Sequence, residues 1–370
     1  MLKTLLTTAT AAVFSATTVF AGGHSDLSSM TWDEIVAQAK EEGELTWYVW
    51  YLTDDLRRFA TAFEEEYGIE VTIPEGTASG NADKLLAERG RDTGDIDVFA
   101  WGWDNFSTVD MSDLFLSLDM LPEDSGRVEE LVGISGEGYA VAYWGNQTGI
   151  AYDPAKVDEA NLPQTPDDFA AFWAANPEKF GFNYEKGGSG PSFWQNITRT
   201  LTDWDVTDGN SNDERLAAMQ PAFDFFNEHA ENYLITASNA DSIIRVSDGE
   251  LIMVPAWEDH LAGLQKRGEV RTEIKFYIPE MGMNGGGNGV AIPRNAPHSA
   301  AAAVFVDWLT SAETQSVLNR DFGTAPMHAE ADDSFALVPN AQRAYRSIWA
   351  AKPFRDEVND AFIDHVIFER

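Results

Sequence analysis

The chain of 370 residues contains no cysteine. That removes disulfides, thiolate nucleophiles, cysteine-ligated metals and the acylated cysteine of a lipoprotein anchor, so stability has to come from core packing. Basic residues are scarce: 25 Lys and Arg stand against 61 Asp and Glu, a formal net charge of −36. A field of that sign repels nucleic acid and anionic membrane surfaces, which argues against both as partners. The six histidines show no H-x-x-x-H or related ligand spacing, so no histidine metal site is expected. The stretch GGSGPS has neither the G-x-S-x-G spacing of a nucleophile elbow nor the lysine of a phosphate-binding loop. Among so many acids a neighbouring carboxylate pair carries no information about hydrolysis. No catalytic residues, metal or cofactor are therefore expected, although a secreted hydrolase using carboxylates in a cleft stays open as a second class of function.

Long apolar runs are also missing, except at the start. The opening MLKTLLTTATAAVFSATTVFAGG carries Lys3, then no charged residue before Asp26, with Val19 and Ala21 at signal-peptidase spacing. Its threonines dilute it too far for a membrane span, so residues 1–21 are expected to be a cleaved signal peptide and the mature protein to be exported.

The rest is rich in core material, 44% hydrophobic and 12% aromatic over the whole chain, and long enough for two lobes. Thr31 and Glu34 form a capping-box pattern ahead of an apolar stripe at Ile35, Val36 and Ala39. The alternating ELTWYVWYL then predicts a strand, followed by a helix with Leu56, Phe59, Ala60 and Phe63 on one face and a strand at IEVTIPEG. Strands alternating with helices predict an α/β fold with mostly parallel sheets, where ligands collect beyond the carboxyl ends of the strands. Gly138–Tyr143 and Thr148–Tyr152 read equally as one strand crossing between lobes or as a hairpin. Pro221 predicts a broken or kinked helix.

Aromatic and amide residues recur where strands end or glycines cluster. Trp50 follows the first strand, Trp101, Trp103, Asp104 and Asn105 end DIDVFAWGWDNF, and Trp257, Glu258 and Asp259 end DGELIMVPAW. Trp144 and Asn146 lie in the first crossing, Asn284 and Asn288 in the second, and Ser189, Ser192 and Trp194 beside the GGSG loop. An indole face covers a sugar face or an ammonium, and an adjacent carboxylate or amide fixes hydroxyls or ammonium protons. Trp101 is the stronger candidate of its pair, and Trp103 reads equally as packing. Trp47, Trp173 and Trp308 sit on strand or helix stripes and are predicted to be core. Asn284 and Asn288 read as weaker candidates that supply positive φ among glycines.

Taken in order, FEEEYGIEVTI, DIDVFAWGWDNF, YAVAYWGNQTGIAYDPAKV, DGELIMVPAW and GNGVAIPRNAP resemble the periplasmic solute-binding proteins of ABC importers, the group that includes maltose- and polyamine-binding proteins. The resemblance implies a type II periplasmic-binding-protein fold of two α/β lobes joined by crossing strands. The first lobe would take residues 22–145 and 289–322, and the second 146–288 and 323–370. It also implies a monomer that traps a small solute and hands it to a permease in the inner membrane. The expected solute contacts are Trp50, Trp101, Asp104, Asn105, Trp144, Asn146, Ser189, Ser192, Trp194, Trp257, Glu258 and Asp259. Indoles beside carboxylates favour an organic cation such as a polyamine; a carbohydrate or polyol fits the same residue types.

Overall fold

The computed structural model describes residues 27–338 and 340–368. The expected signal peptide lies outside the described residues. Local signals read from the sequence act as physical chemistry requires. Thr31 and Glu34 close a reciprocal capping box on helix Trp32–Glu42, which Gly43 ends in a left-handed conformation. Thr165 and Asp168 do the same for Pro166–Ala175. Pro221 separates two helices, Asp213–Ala217 and Gln220–Glu228, and sits in the first turn of the second, where its missing N–H costs nothing.

A single sheet runs through the molecule in the order Glu70–Thr72, Glu44–Tyr48, Val98–Gly102, Met283–Ala291, Val141–Tyr152, Met253–Trp257, Phe180–Phe182 and Tyr233–Ile235. At both ends neighbouring strands are parallel, and the two long central strands pair antiparallel with each other and with their flanking strands. The stretch 141–152 is thus one continuous strand and not a hairpin.

These two strands link separate cores. Trp144 packs with Trp47, Phe63, Phe305 and Trp308, whereas Ile150, Ala151 and Tyr152, further along the same strand, pack with Phe169, Trp173, Phe193 and Tyr233. Val290 and Met283 divide in the same way on the return strand. A third cluster covers the other face of the first half around Phe99, Trp103, Phe106 and Phe115. Trp47, Trp173 and Trp308 are buried in cores. Ala325 and Met327 also pack in the third cluster, and Ala325 bridges to Gly145. Val338, further along the chain, packs in the core of the second half.

The glycines of the return strand have a steric reason. A Cβ on Gly287 would lie 2.4 Å from the Trp144 carbonyl oxygen, and Gly286 has φ +151°. Asn284 and Asn288, in contrast, do not adopt positive φ. Their polar side chains serve contacts: Asn284 Oδ1 accepts from Asn196 Nδ2 at 2.5 Å and from Ser347 Oγ at 2.8 Å.

One charged contact ties the first half together. Asp97 is fully buried and accepts from the backbone N–H of Thr46 at 2.8 Å and of His298 at 2.6 Å, with the His298 ring nitrogen at 3.1 Å. That hydrogen bond raises the imidazole pKa above 6.5. A raised folded value means the stabilisation is complete below the unfolded value and is lost as pH rises through the folded one. His298→Gln is expected to flatten the stability profile across that window, measured by urea unfolding between pH 6 and 9. A variant curve parallel to the parent would remove His298 as the source.

Candidate ligand-binding cleft

A cavity of about 1300 Å³ opens between the two halves. The crossing strands supply its floor through Trp144, Asn146, Gly285, Gly286, Gly287 and Asn288. Strand exits supply the walls. Trp50 and Tyr51 follow Glu44–Tyr48, and Asp104 and Asn105 follow Val98–Gly102. Trp257 ends Met253–Trp257 in the second half, and the chain turns directly into helix Glu258–Lys266, whose first turn carries Asp259 and His260.

The aromatic part is built as a corner. Trp50 and Trp144 meet the ring of Tyr51 edge-on at 5.1 and 5.2 Å between centroids. The Tyr51 hydroxyl shares a 2.6 Å hydrogen bond with that of Tyr143, and burial raises both phenols. From the other half, Trp257 lies 6.4 Å from Trp349 at an interplanar angle of 36°. The GGSG loop backs this pair: a Cβ on Gly188 would come within 3.2 Å of Trp257.

Four aspartates line this space; Asp55 is paired with Arg58 and Asp321 with Lys266 at 3.1 Å, which leaves Asp104 and Asp259. Asp259 accepts from Trp144 Nε1 at 3.0 Å and from the His260 N–H at 2.9 Å, and no Lys or Arg lies within ion-pair distance of it among the described residues. Burial pushes its pKa up to about 6, the Trp144 hydrogen bond opposes this, and the charge of Glu258 adds to it. Asp104 is also raised by burial, opposed by Arg355 and Lys352 from the facing wall. Burial pulls His260 below its usual value.

Seven of the expected contacts line this cleft together: Trp50, Asp104, Asn105, Trp144, Asn146, Trp257 and Asp259. Five do not. Trp101 shares a strand face with Phe99 and packs edge-on against Phe99 and Phe106 at 5.5 and 5.7 Å, and it does not line the cavity. Its neighbour Trp103, not one of the expected contacts, is 1% exposed and donates its Nε1–H to the Ile134 carbonyl at 2.9 Å, with part of its ring reaching the wall. Ser189 donates to Asn239 Oδ1 at 2.6 Å, and Ser192 shares 2.6 Å with Thr148 and accepts from the Asn284 N–H. Both serines hold the helix Ser189–Leu201 to its neighbours. Trp194, on the same helix, stacks on Phe362 at 4.1 Å and 4°. Glu258 turns inward to Arg343, at 2.8 and 3.0 Å, because the two residues beside it face the cleft.

Sequence reading missed Tyr51, Trp349, Lys352 and Arg355. The last three lie in IWAAKPFR, a basic and aromatic cluster in an acidic chain, and that contrast was the available signal. Among the described residues no group of three or more His, Asp or Glu could hold a metal ion, and no helix is long and apolar enough to cross a membrane.

The family model described as bacterial extracellular solute-binding protein matches residues 58–343. Solved structures share the fold at low identity. The spermidine/putrescine ABC transporter substrate-binding protein PotD from Streptococcus pneumoniae is 14% identical with a TM-score of 0.67, covering 88% of this chain and 99% of that one. UgpB from Mycobacterium tuberculosis, in complex with glycerophosphocholine, is 18% identical with a TM-score of 0.69, covering 89% and 94%. Iron-bound HitA from Pseudomonas aeruginosa is 21% identical with a TM-score of 0.63, covering 87% and 99%. No curated protein sequence matches the chain.

Proposed function

We propose that this chain, which belongs to the bacterial extracellular solute-binding protein family, captures a small organic cation between its two halves and delivers it to an ABC permease. The observation that carries the solute class is Asp259: a carboxylate in the depth of the cleft that has an indole N–H and a backbone N–H as partners and, among the described residues, no ion-paired cationic side chain. Trp50, Trp257 and Trp349 line the same cavity. A primary or methylated ammonium satisfies both features at once, by charge to the carboxylate and by cation–π contact to the rings. The polyamine-binding relative is consistent with that reading, and the glycerophosphocholine-bound one shows the same fold holding a cationic headgroup in a larger solute.

Solute would enter the open cleft, and rotation about the two crossing strands would close the walls on it. The exported location, the monomeric state and the permease partner belong to this reading. A carbohydrate is the second reading. Asn105, Asn146, Asn239 and Asn288 line the same cavity and offer amide donors and acceptors suited to hydroxyls.

A thermal-shift series over amines, sugars and polyols separates the two. Ligand at 100 times its dissociation constant stabilises by about 2.7 kcal/mol. Amines are expected to raise the melting temperature while neutral sugars leave it unchanged; the reverse pattern would transfer the assignment to carbohydrate. Steady turnover of a bound compound would instead support a cleft hydrolase. Trp257→Ala is expected to weaken amine binding by up to roughly 30-fold, since a desolvated cation–π contact is worth about 2 kcal/mol. Calorimetric titration checks this, and an unchanged affinity would place the solute elsewhere in the cleft.

A further inference from the structure

The wall opposite Asp104 carries a cation with no carboxylate within hydrogen-bonding reach among the described residues. Arg355 opens the helix Phe354–Phe362 and lines the cleft, with its side chain 17% exposed. Its one carboxylate contact among the described residues is Asp356 at 3.9 Å, beyond hydrogen-bonding reach. Its guanidinium carbon lies 5.8 Å from the Trp349 ring centroid. Comparable arginines elsewhere are satisfied: Arg343, 14% exposed, holds Glu258 at 2.8 Å, and Arg127, 7% exposed, is paired with Asp307. Arg199, which has no carboxylate partner among the described residues either, donates to the Met281 carbonyl at 2.9 Å, so in a chain with 61 acids and 25 bases the Arg355 guanidinium stands out. Asp104 on the facing wall feels its charge but is not ion-paired with it. Lys352, nearby, is already paired with Asp356 at 3.1 Å.

We infer that the solute is zwitterionic, with its ammonium at Asp259 and an acidic group, a carboxylate, sulfonate or phosphonate, at the Arg355 guanidinium. This rests on the cation reading of the cleft and narrows it. A planar fork of N–H donors matches two oxygens of such an acid in parallel. A simple monoamine leaves that fork dry and unpaired when the cleft closes, at the cost of a buried charge. A diamine that spans to Arg355 fares worse, because its second ammonium meets Arg355 and Lys352 as like charges and has only Asp104, already in their field, to answer it. The geometry therefore selects against the polyamines that a cation site alone would accept.

Three matched ligand sets test this on the mature protein by thermal shift and calorimetry. One holds α,ω-diamines of two to six carbons, one holds ω-amino acids of the same lengths with their sulfonate and phosphonate counterparts, and one holds the corresponding alkyl acids. Each amine is used in primary and trimethylated form. Members of the zwitterionic set are expected to bind at least tenfold tighter than the diamine and the alkyl acid of equal length. Arg355→Gln is expected to erase that preference and to leave diamine affinity equal or improved, with Arg355→Lys intermediate. The melting temperature of each free variant checks that it folds. A diamine that binds the parent as tightly as any zwitterion, or an Arg355→Gln variant whose affinity for the best zwitterion stays within twofold, would overturn the inference and leave the cation reading standing. Binding of neutral sugars with no response to any amine would remove both.

Discussion

Replacing Arg343 by methionine is expected to destabilise the protein by about 3–5 kcal/mol, the usual cost of leaving one member of a buried ion pair alone. Glu258 is 1% exposed, and its two oxygens accept from Arg343 and from the Leu337 backbone N–H at 3.0 Å. Burial raises its pKa even with the guanidinium beside it. Without Arg343 the carboxyl is driven further toward its neutral form. A raised folded pKa contributes stability below the unfolded value that is lost as pH rises, so the defect should shrink in acid and be full at neutral pH. Urea unfolding of Arg343→Met at pH 5 and pH 7.5 reads both effects. The double variant Glu258→Met, Arg343→Met should recover most of the loss, because no unpaired charge remains. A single-variant loss below about 1 kcal/mol at neutral pH would mean that water reaches Glu258 and that the pair acts as a surface bridge.

This pair matters beyond stability. Glu258 sits between Trp257 and Asp259, both of which line the cleft, and Arg343 belongs to the segment that leads to Trp349 and Arg355. The ion pair therefore fixes the C-terminal segment against the element that presents the carboxylate. Weaker solute binding by Arg343→Met at low pH, where folding is retained, would show that positioning role directly.

The elements that position the cleft were legible because local chemistry dictates them. Capping boxes at Thr31 and Thr165, the period of the apolar residues and the break at Pro221 act over a few residues, and tertiary contacts do not override them. Trp50, Asp104, Trp257 and Asp259 were legible for a different reason: the end of a strand in an α/β sheet is where the chain meets solvent or ligand.

What failed was side-chain direction one residue at a time. Trp101 and Glu258 stand next to cleft residues, but alternation and helix rotation send them into the protein, where Phe106 and Arg343 receive them. Ser189, Ser192 and Trp194 looked like a loop-to-helix site, yet their partners Asn239, Thr148 and Phe362 are 50, 44 and more than a hundred residues away in sequence. The C-terminal segment offered only its composition as a signal, not its placement, for the same reason. Nothing in IWAAKPFR says that it will lie across the cleft from Asp104, since that placement depends on Phe354, Val358 and Phe362 packing into the second core.

Asp259→Asn is expected to weaken binding of a cationic solute by 2–5 kcal/mol, roughly 30-fold to several-thousand-fold, because the ammonium is left buried against a neutral amide. The amide keeps the shape and an oxygen for Trp144 Nε1, so the fold and the floor of the cleft are retained. A sugar would lose little, since an amide also binds hydroxyls; a drop of less than tenfold for the best ligand would therefore argue for carbohydrate. The pH profile gives an independent reading. With the Asp259 pKa near 6 in the free protein, a cation must drive off a proton to bind at lower pH. Affinity is then expected to fall about tenfold per unit below pH 6 and to level off above it. His260 adjoins this site, and burial lowers its pKa below the usual imidazole value. Asp104, raised by burial, lies on the facing wall opposite Arg355 and Lys352. Asp259→Asn should abolish the step near pH 6 and leave the weaker dependence from His260 and Asp104, with His260→Gln in that background removing the former. A step that survives in Asp259→Asn would move the cation to Asp104, and a flat profile in the parent would remove the cation from the cleft.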